Sequence, residues 1–276
     1  MPFPAGAAYA QLAKMMFASK AIALPQSWSQ PNDQFQDAFA AGERIAPPNS
    51  PTNLFREPTL NQYHVDAARD IGKKFETFID GICGATCSAI SQWLTSATIV
   101  GGIVNGPVAS GGSVLGPPLT PLIVASAPKT TPQELKYSMA VANAFGTAWQ
   151  AWHMGLKIPG LPLYPAFAAF PAPIAPPMPN IPFPLVVLPS PGEAMLAPGT
   201  LKGSMVGNLG DPTALHAADL FDALTQAFSP QFMIFKASTI VKNVLGTGPV
   251  PTFAPPFVPV GPVIGGIATG PPGCLS

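Results

Sequence analysis

Three stretches of the chain alternate apolar and polar positions with the period of an α-helix. After Glu57-Pro58-Thr59, the residues Ala68, Ile71, Phe75, Phe78, Ile79 and Ile82 fall on one face, and Arg69, Asp70, Lys73, Lys74, Glu76 and Asp80 occupy the rest. After Thr131-Pro132-Gln133-Glu134, a second stripe runs through Leu135, Met139, Ala142, Phe145, Trp149 and Trp152. After Asp211-Pro212-Thr213, a third runs through Leu220, Leu224, Ala227 and Phe228, and Pro230 is expected to break it. Each start joins an acid or hydroxyl residue to a proline. That suits a first helical turn, whose N–H groups have no intrahelical partner. A shorter helix is expected over roughly 7–24, stopped by Pro25. Phe35 and Phe39 mark one more turn before Pro47, Pro48 and Pro51 set a boundary.

Between and beyond these helices the pattern changes. Gly81 to Pro128 carries no formal charge, and neither does the interval between Lys157 and Glu193, nor the tail beyond Asn243. The central interval is too interrupted by proline for a helix, and its missing donors exclude an inner strand. It is also too apolar to be a solvated linker. The tail from Gly246 to Ser276 has the same character, and on proline density alone it is not expected to build hydrogen-bonded structure of its own. Both read as stiff extended arms that must lie on something. The residues expected to dock them are Leu161, Tyr164, Phe167, Phe170 and Phe183 in the first arm, and Phe253, Phe257, Val260 and Val263 in the second.

Short matches link the parts. Glu57-Pro58-Thr59 parallels Asp211-Pro212-Thr213. Thr98-Ile99-Val100 before Gly106-Pro107-Val108 parallels Thr239-Ile240-Val241 before Gly248-Pro249-Val250. Pro121-Leu122-Ile123-Val124 parallels Pro184-Leu185-Val186-Val187. The expected organisation is an N-terminal arm with short helices (1–56) and three diverged modules, 57–130, 131–210 and 211–276, each a helix feeding a Pro/Gly-rich arm. The expected fold class is therefore mainly α with long extended arms and little regular β structure. The three helices should pack together as the globular part, and the tail should be dispensable for it.

Composition sharpens the picture. Charged residues are 9% of the chain and the net charge is zero, against roughly 25% charged in ordinary soluble domains. Proline and glycine number 37 and 26 of 276 residues, yet 47% of the chain is hydrophobic, which is the opposite of disordered composition. A surface so poor in charge is expected to be covered by neighbours or by a membrane. Scattered basic residues argue against nucleic acid as a partner. The N-terminus shows no signal peptide pattern, because Lys14 and Lys20 interrupt its apolar run.

Candidate chemistry is sparse. His64, His153 and His216 lack a second ligand at metal spacing, and no nucleophile elbow, phosphate loop or paired-histidine zinc motif occurs. Cys83 and Cys87 share a helix face without zinc or disulfide geometry, whereas Cys274, close to the C-terminus, is a candidate for a disulfide between chains. Neither a catalytic role nor a cofactor or small-molecule substrate is expected.

The arms LKIPGLPLYPAFAAFPAPIAPPMPNIPFPL and GTGPVPTFAPPFVPVGPVIGGIATGPPGC resemble those of structural proteins of bacteriophage particles and related contractile injection machines. That resemblance implies a structural subunit of a large multi-copy assembly, located in a virion or similar particle, whose partners are copies of itself and other subunits. Two other classes stay open. A membrane protein would span with residues 82–104, a charge-free stretch weakened by its Ser, Thr and Gly content. A ligand-binding module or enzyme would hold its pocket between modules.

Overall fold

The computed structural model describes residues 6–22, 60–164, 173–251, 253–254, 258–259 and 261–276, and side chains throughout these except at 60–69, 253–254 and 258–259. The chain divides into two compact units, one of residues 1–20 and 79–276 and one of residues 21–78. In the second unit the described backbone is chiefly helical, with an Asp70–Lys73 ion pair at 3.9 Å on its surface. The first unit contains the sheet, residues 79–96 of the helix that begins in the second unit, and the remaining helices.

Six helices are described: α1 (Gly6–Ala18), α2 (Leu60–Ser96), α3 (Leu119–Ser126), α4 (Pro132–Gly155), α5 (Pro198–Leu209) and α6 (Ala217–Ser238). At the start of α4, the Thr131 hydroxyl accepts from Glu134 N at 3.1 Å, and the Glu134 carboxylate accepts from Thr131 N at 3.1 Å. This reciprocal cap satisfies two N–H groups that the first turn leaves free. The third helix begins later than the proline pattern suggests. Asp211 accepts from Thr213 N and Thr213 Oγ1, which closes a turn, and α6 starts at Ala217. It also continues through Pro230 to Ser238. A proline inside a helix removes one backbone bond, and burial of Phe228, Phe232 and Phe235 on either side offsets that loss.

The three long helices meet at an aromatic cluster. Trp93 of α2 stands edge-on to Trp149 of α4 with ring centroids 5.1 Å apart, and Trp149 lies 5.7 Å from Phe235 of α6. All three rings are fully buried. Around this hub α1 packs on α6, where Tyr9 Oη donates to Leu224 O at 3.0 Å, and α5 packs on both α4 and α6. Asp222 of α6 accepts from Lys20 just past α1 and from Lys202 of α5, so one carboxylate ties three elements together. Those two bonds, the Lys20 one foremost, hold its pKa below the usual carboxylate value.

Strands alternate with the helices. They are β1 (Thr98–Asn105), β2 (Val108–Leu115), β3 (Ile158–Pro162), β4 (Ile174–Pro179), β5 (Phe183–Pro184), β6 (Ile240–Val241), β7 (Leu245–Pro249), β8 (Phe253–Ala254), β9 (Val258–Pro259) and β10 (Ile264–Gly270). Six form one antiparallel sheet in the order β3-β2-β1-β10-β7-β4. The expectation of a mainly α chain with little regular β structure is overturned by this sheet. Each stretch read as an extended arm supplies two of its strands.

The physical reason lies in where the prolines fall. Pro159 and Pro162 sit in β3, and Pro176, Pro177 and Pro179 in β4, which are the two edge strands. An edge strand bonds on one side only, so a missing donor can face away from the ladder. The inner strands β1, β2 and β10 contain no proline, and β7 has one only at its end. The tail, expected to lack hydrogen-bonded structure, therefore supplies β10 at the sheet centre, paired on both sides. Proline density averaged over the tail hid this short proline-free run.

The matched tripeptides adopt different structures. Gly106-Pro107 turns the β1–β2 hairpin, whereas Gly248-Pro249 ends β7. Pro121-Leu122-Ile123-Val124 is helical in α3, whereas Pro184-Leu185-Val186-Val187 passes from β5 into a 3-10 turn.

The described part of the central arm beyond β5 closes over the helices. A second 3-10 turn, Pro191–Leu196, lies along α4, where Ser190 Oγ donates to Trp152 O at 2.6 Å. Glu193 in this turn pairs with the buried Lys236 of α6, whose ammonium also sits 5.1 Å above the Phe232 ring. An uncompensated ammonium could not stay buried there, so the pair anchors the arm to the core.

Candidate functional site

The two faces of the sheet differ in what covers them. On the inner face Ile99, Val104, Ala109, Val114 and Ala268 are buried, and α4 packs against β2. Trp93 lies against Gly116 just past β2, which joins the aromatic hub to the sheet. Alternate residues point to the other face. In the middle of the sheet a row runs Ser110–Ile103–Ile267–Thr247 across β2, β1, β10 and β7. Ile103 is 53% exposed and Ile267 61% exposed. Val100, Leu245 and Ile264 extend this exposed apolar surface to either side.

A solvated sheet face normally carries charged or polar side chains, giving apolar-in, polar-out alternation. Here no strand of the sheet contains Asp, Glu, Lys, Arg or His. Its polar groups are small and in part already bonded. Thr247 Oγ1 donates to Ala175 O at 2.6 Å, and Asn105 Oδ1 accepts from Gly265 N at 3.0 Å. The relief of the face is set by glycine. Gly101 interrupts the β1–β10 register with φ +71°, a conformation open to glycine at little cost, and displaces the strand so that Val100 and Ile103 both face outward. Bulges and prolines at β3 and β4 blunt both edges, which suppresses edge-to-edge strand pairing.

The residues selected from the sequence are distributed differently. Leu161 and Val263 are buried in the chain's own core. Tyr164 is 65% exposed beyond the end of β3, and Phe183 is half-buried in β5. Phe253 lies in β8, and Phe167, Phe170, Phe257 and Val260 lie outside the described residues. The face formed by Val100, Ile103, Leu245, Ile264 and Ile267 was missed. Its signal in the sequence is apolar residues at both parities of charge-free strands, a pattern that marks strands apolar on both faces.

The three cysteines and His153 are buried in the core. Cys83, Cys87 and Cys274 are buried free thiols, and Cys274 Sγ donates weakly to Ala97 O at 3.6 Å. Burial raises the thiol pKa to about 12 for Cys87 and about 11 for Cys274. His153 is buried beside Trp93, and its Nδ1 donates to Trp149 O at 2.9 Å. Burial pushes its pKa below the usual imidazole value. His216 pairs with Asp219 at 3.3 Å.

Among the described residues no group of three His, Cys, Asp or Glu side chains is placed to hold a metal ion. Among them, too, no helix is long and apolar enough to cross a membrane. Residues 82–104, weighed above as a span, divide between the end of α2 and β1. No protein-family model, curated protein or solved structure matches this chain.

Proposed function

We propose that this chain is a structural subunit of a large multi-copy protein assembly, of the kind that builds virions and contractile tails, and that its role is to be packed against neighbours rather than to catalyse. The observation that carries this reading is the exposed, charge-free outer face of the sheet. A contiguous exposed apolar patch of this size is at the upper end of what soluble monomers leave bare and commonly marks a contact surface. With 9% charged residues the chain also has little charge with which to keep separate copies apart. The resemblance of its proline-rich segments to those of particle subunits points the same way. In place of arms reaching across neighbours, the contact now assigned to assembly is a rigid face, since the described parts of those segments pack on their own chain.

The native mass of the full-length protein tests this, by light scattering with negative-stain electron microscopy as the second view. Many-fold multiples of the 28.5 kDa chain are expected. A stable, detergent-free monomer at high concentration would overturn the proposal.

A further inference from the structure

We infer that the outer face of the sheet closes face to face on the same face of a second copy of this chain, with the two-fold axis passing near the Ile103–Ile267 pair. This rests on the assembly reading above and names the contact on which it is built.

Charge is the first argument. Whatever covers this face must itself be free of charge over the whole contact, because an ion buried against it would have no partner. Among the described residues, Asp, Glu, Lys and Arg lie on the helices and connections, not on the strands of the sheet. The same face on a second copy meets that requirement over its whole extent, and a neutral face meets its own copy without like-charge repulsion.

Size is the second. β1, β2 and β10 are seven or eight residues long within a six-stranded sheet. At about 3.3 Å per residue and 4.8 Å between strands, the face covers roughly 600 Å². Two copies would bury about 1,200 Å² in all, above the roughly 1,000 Å² expected of a specific interface.

Relief is the third. Open space lies where side chains would stand at Gly101, Gly111 and Gly265, next to the projecting Val100, Ile103, Ile264 and Ile267. A two-fold rotation sets the ridges of one copy against the hollows of the other, as in aligned sheet packing about 10 Å apart. The edges offer no competing route, because proline and register shifts interrupt both edge strands.

The test compares the native mass of the full chain with that of the Ile103→Lys/Ile267→Lys double variant. Both positions are exposed, so the charges should leave the fold intact, which circular dichroism and the melting temperature check. The expected result is an even-numbered wild-type assembly and a folded variant of half its mass or less, with self-association weakened at least tenfold. A second variant, Ile103→Cys, guards against misfolding of the first. The native thiols are buried, so a short bis-maleimide should link the new cysteines into a covalent dimer. A multi-copy wild type whose mass the lysines leave unchanged, and whose Ile103→Cys form fails to cross-link, would overturn this inference and leave the assembly reading standing. A monomeric wild type would overturn both.

Discussion

Replacing Gly192 by alanine tests whether the proline-rich segment belongs to this chain's own core. A Cβ at that position would stand 2.1 Å from Ala151 O, 2.4 Å from Ala151 C and 2.7 Å from Trp152 N. These are backbone atoms of α4 and cannot swing aside as a side chain can. The 3-10 turn must therefore retreat by more than 1 Å to reach ordinary contact at 3.4–4 Å. That retreat strains two hydrogen bonds, Ser190 Oγ to Trp152 O at 2.6 Å and Lys157 N to Pro189 O at 3.2 Å. Overpacking costs roughly 1–3 kcal/mol and a lost hydrogen bond about 1 kcal/mol more, so the expected destabilisation is about 2–4 kcal/mol. For a chain of this size that lowers the melting temperature by roughly 5–15 °C. Thermal unfolding followed by circular dichroism reads the shift, with Gly199→Ala in α5 as the control. Nothing lies within 4 Å of a Cβ at Gly199, and helix propensity favours alanine there. An unchanged melting temperature in Gly192→Ala would refute the placement of this segment against α4.

Other perturbations probe separate parts of the fold. Stopping the chain after Leu245 removes β10 and nearly all of β7, so the truncated protein is expected to lose cooperative thermal unfolding; a wild-type melting curve would contradict the sheet order. Trp149→Ala empties the hub shared by α2, α4 and α6 and should cost about 3–5 kcal/mol, read as a lower urea midpoint with an unchanged slope. His153 titrates below its ordinary value of 6.5 because it is buried, so acidification from that value toward the folded pKa protonates the unfolded chain first. Stability should fall across that window, and His153→Gln should flatten the dependence of the urea midpoint on pH. The native thiols should resist a maleimide at pH 8 because Cys87 and Cys274 titrate at about 12 and 11, and all three cysteines should label once the chain is unfolded.

Much of the helical half was legible in the sequence because helices are local. Thr131-Pro132 with Glu134 three residues after the threonine announces a capped start. The spacing of Phe145, Trp149 and Trp152 announces a buried stripe, and all three are buried. Even there, local rules misplaced the start of α6 and its continuation through Pro230, since apolar contacts from other elements outweigh one missing backbone bond. The short helices α3 and α5 went unread. Pro121 and Pro198 look like breakers, yet each sits in a first turn, where no N–H is required.

The sheet was not legible for the opposite reason. Its ladders join residues far apart in the chain, such as Asn105 and Ile264, and no local pattern names a strand's partner. The sequence alone determined that the proline-bearing segments are apolar, extended and in need of cover. Only the tertiary structure decided that the described parts of these segments are covered by this chain's own core. It places the proline-bearing strands at the two edges, where one side of the backbone needs no ladder, and the glycine-rich strands at the centre, where neighbouring backbones approach closely. With the inner face filled by the helices, the outer face of β1, β10 and their neighbours is left exposed. Its makeup of Ile, Val, Thr and Gly was in the sequence throughout, but its exposure follows from which side of the sheet the helices cover.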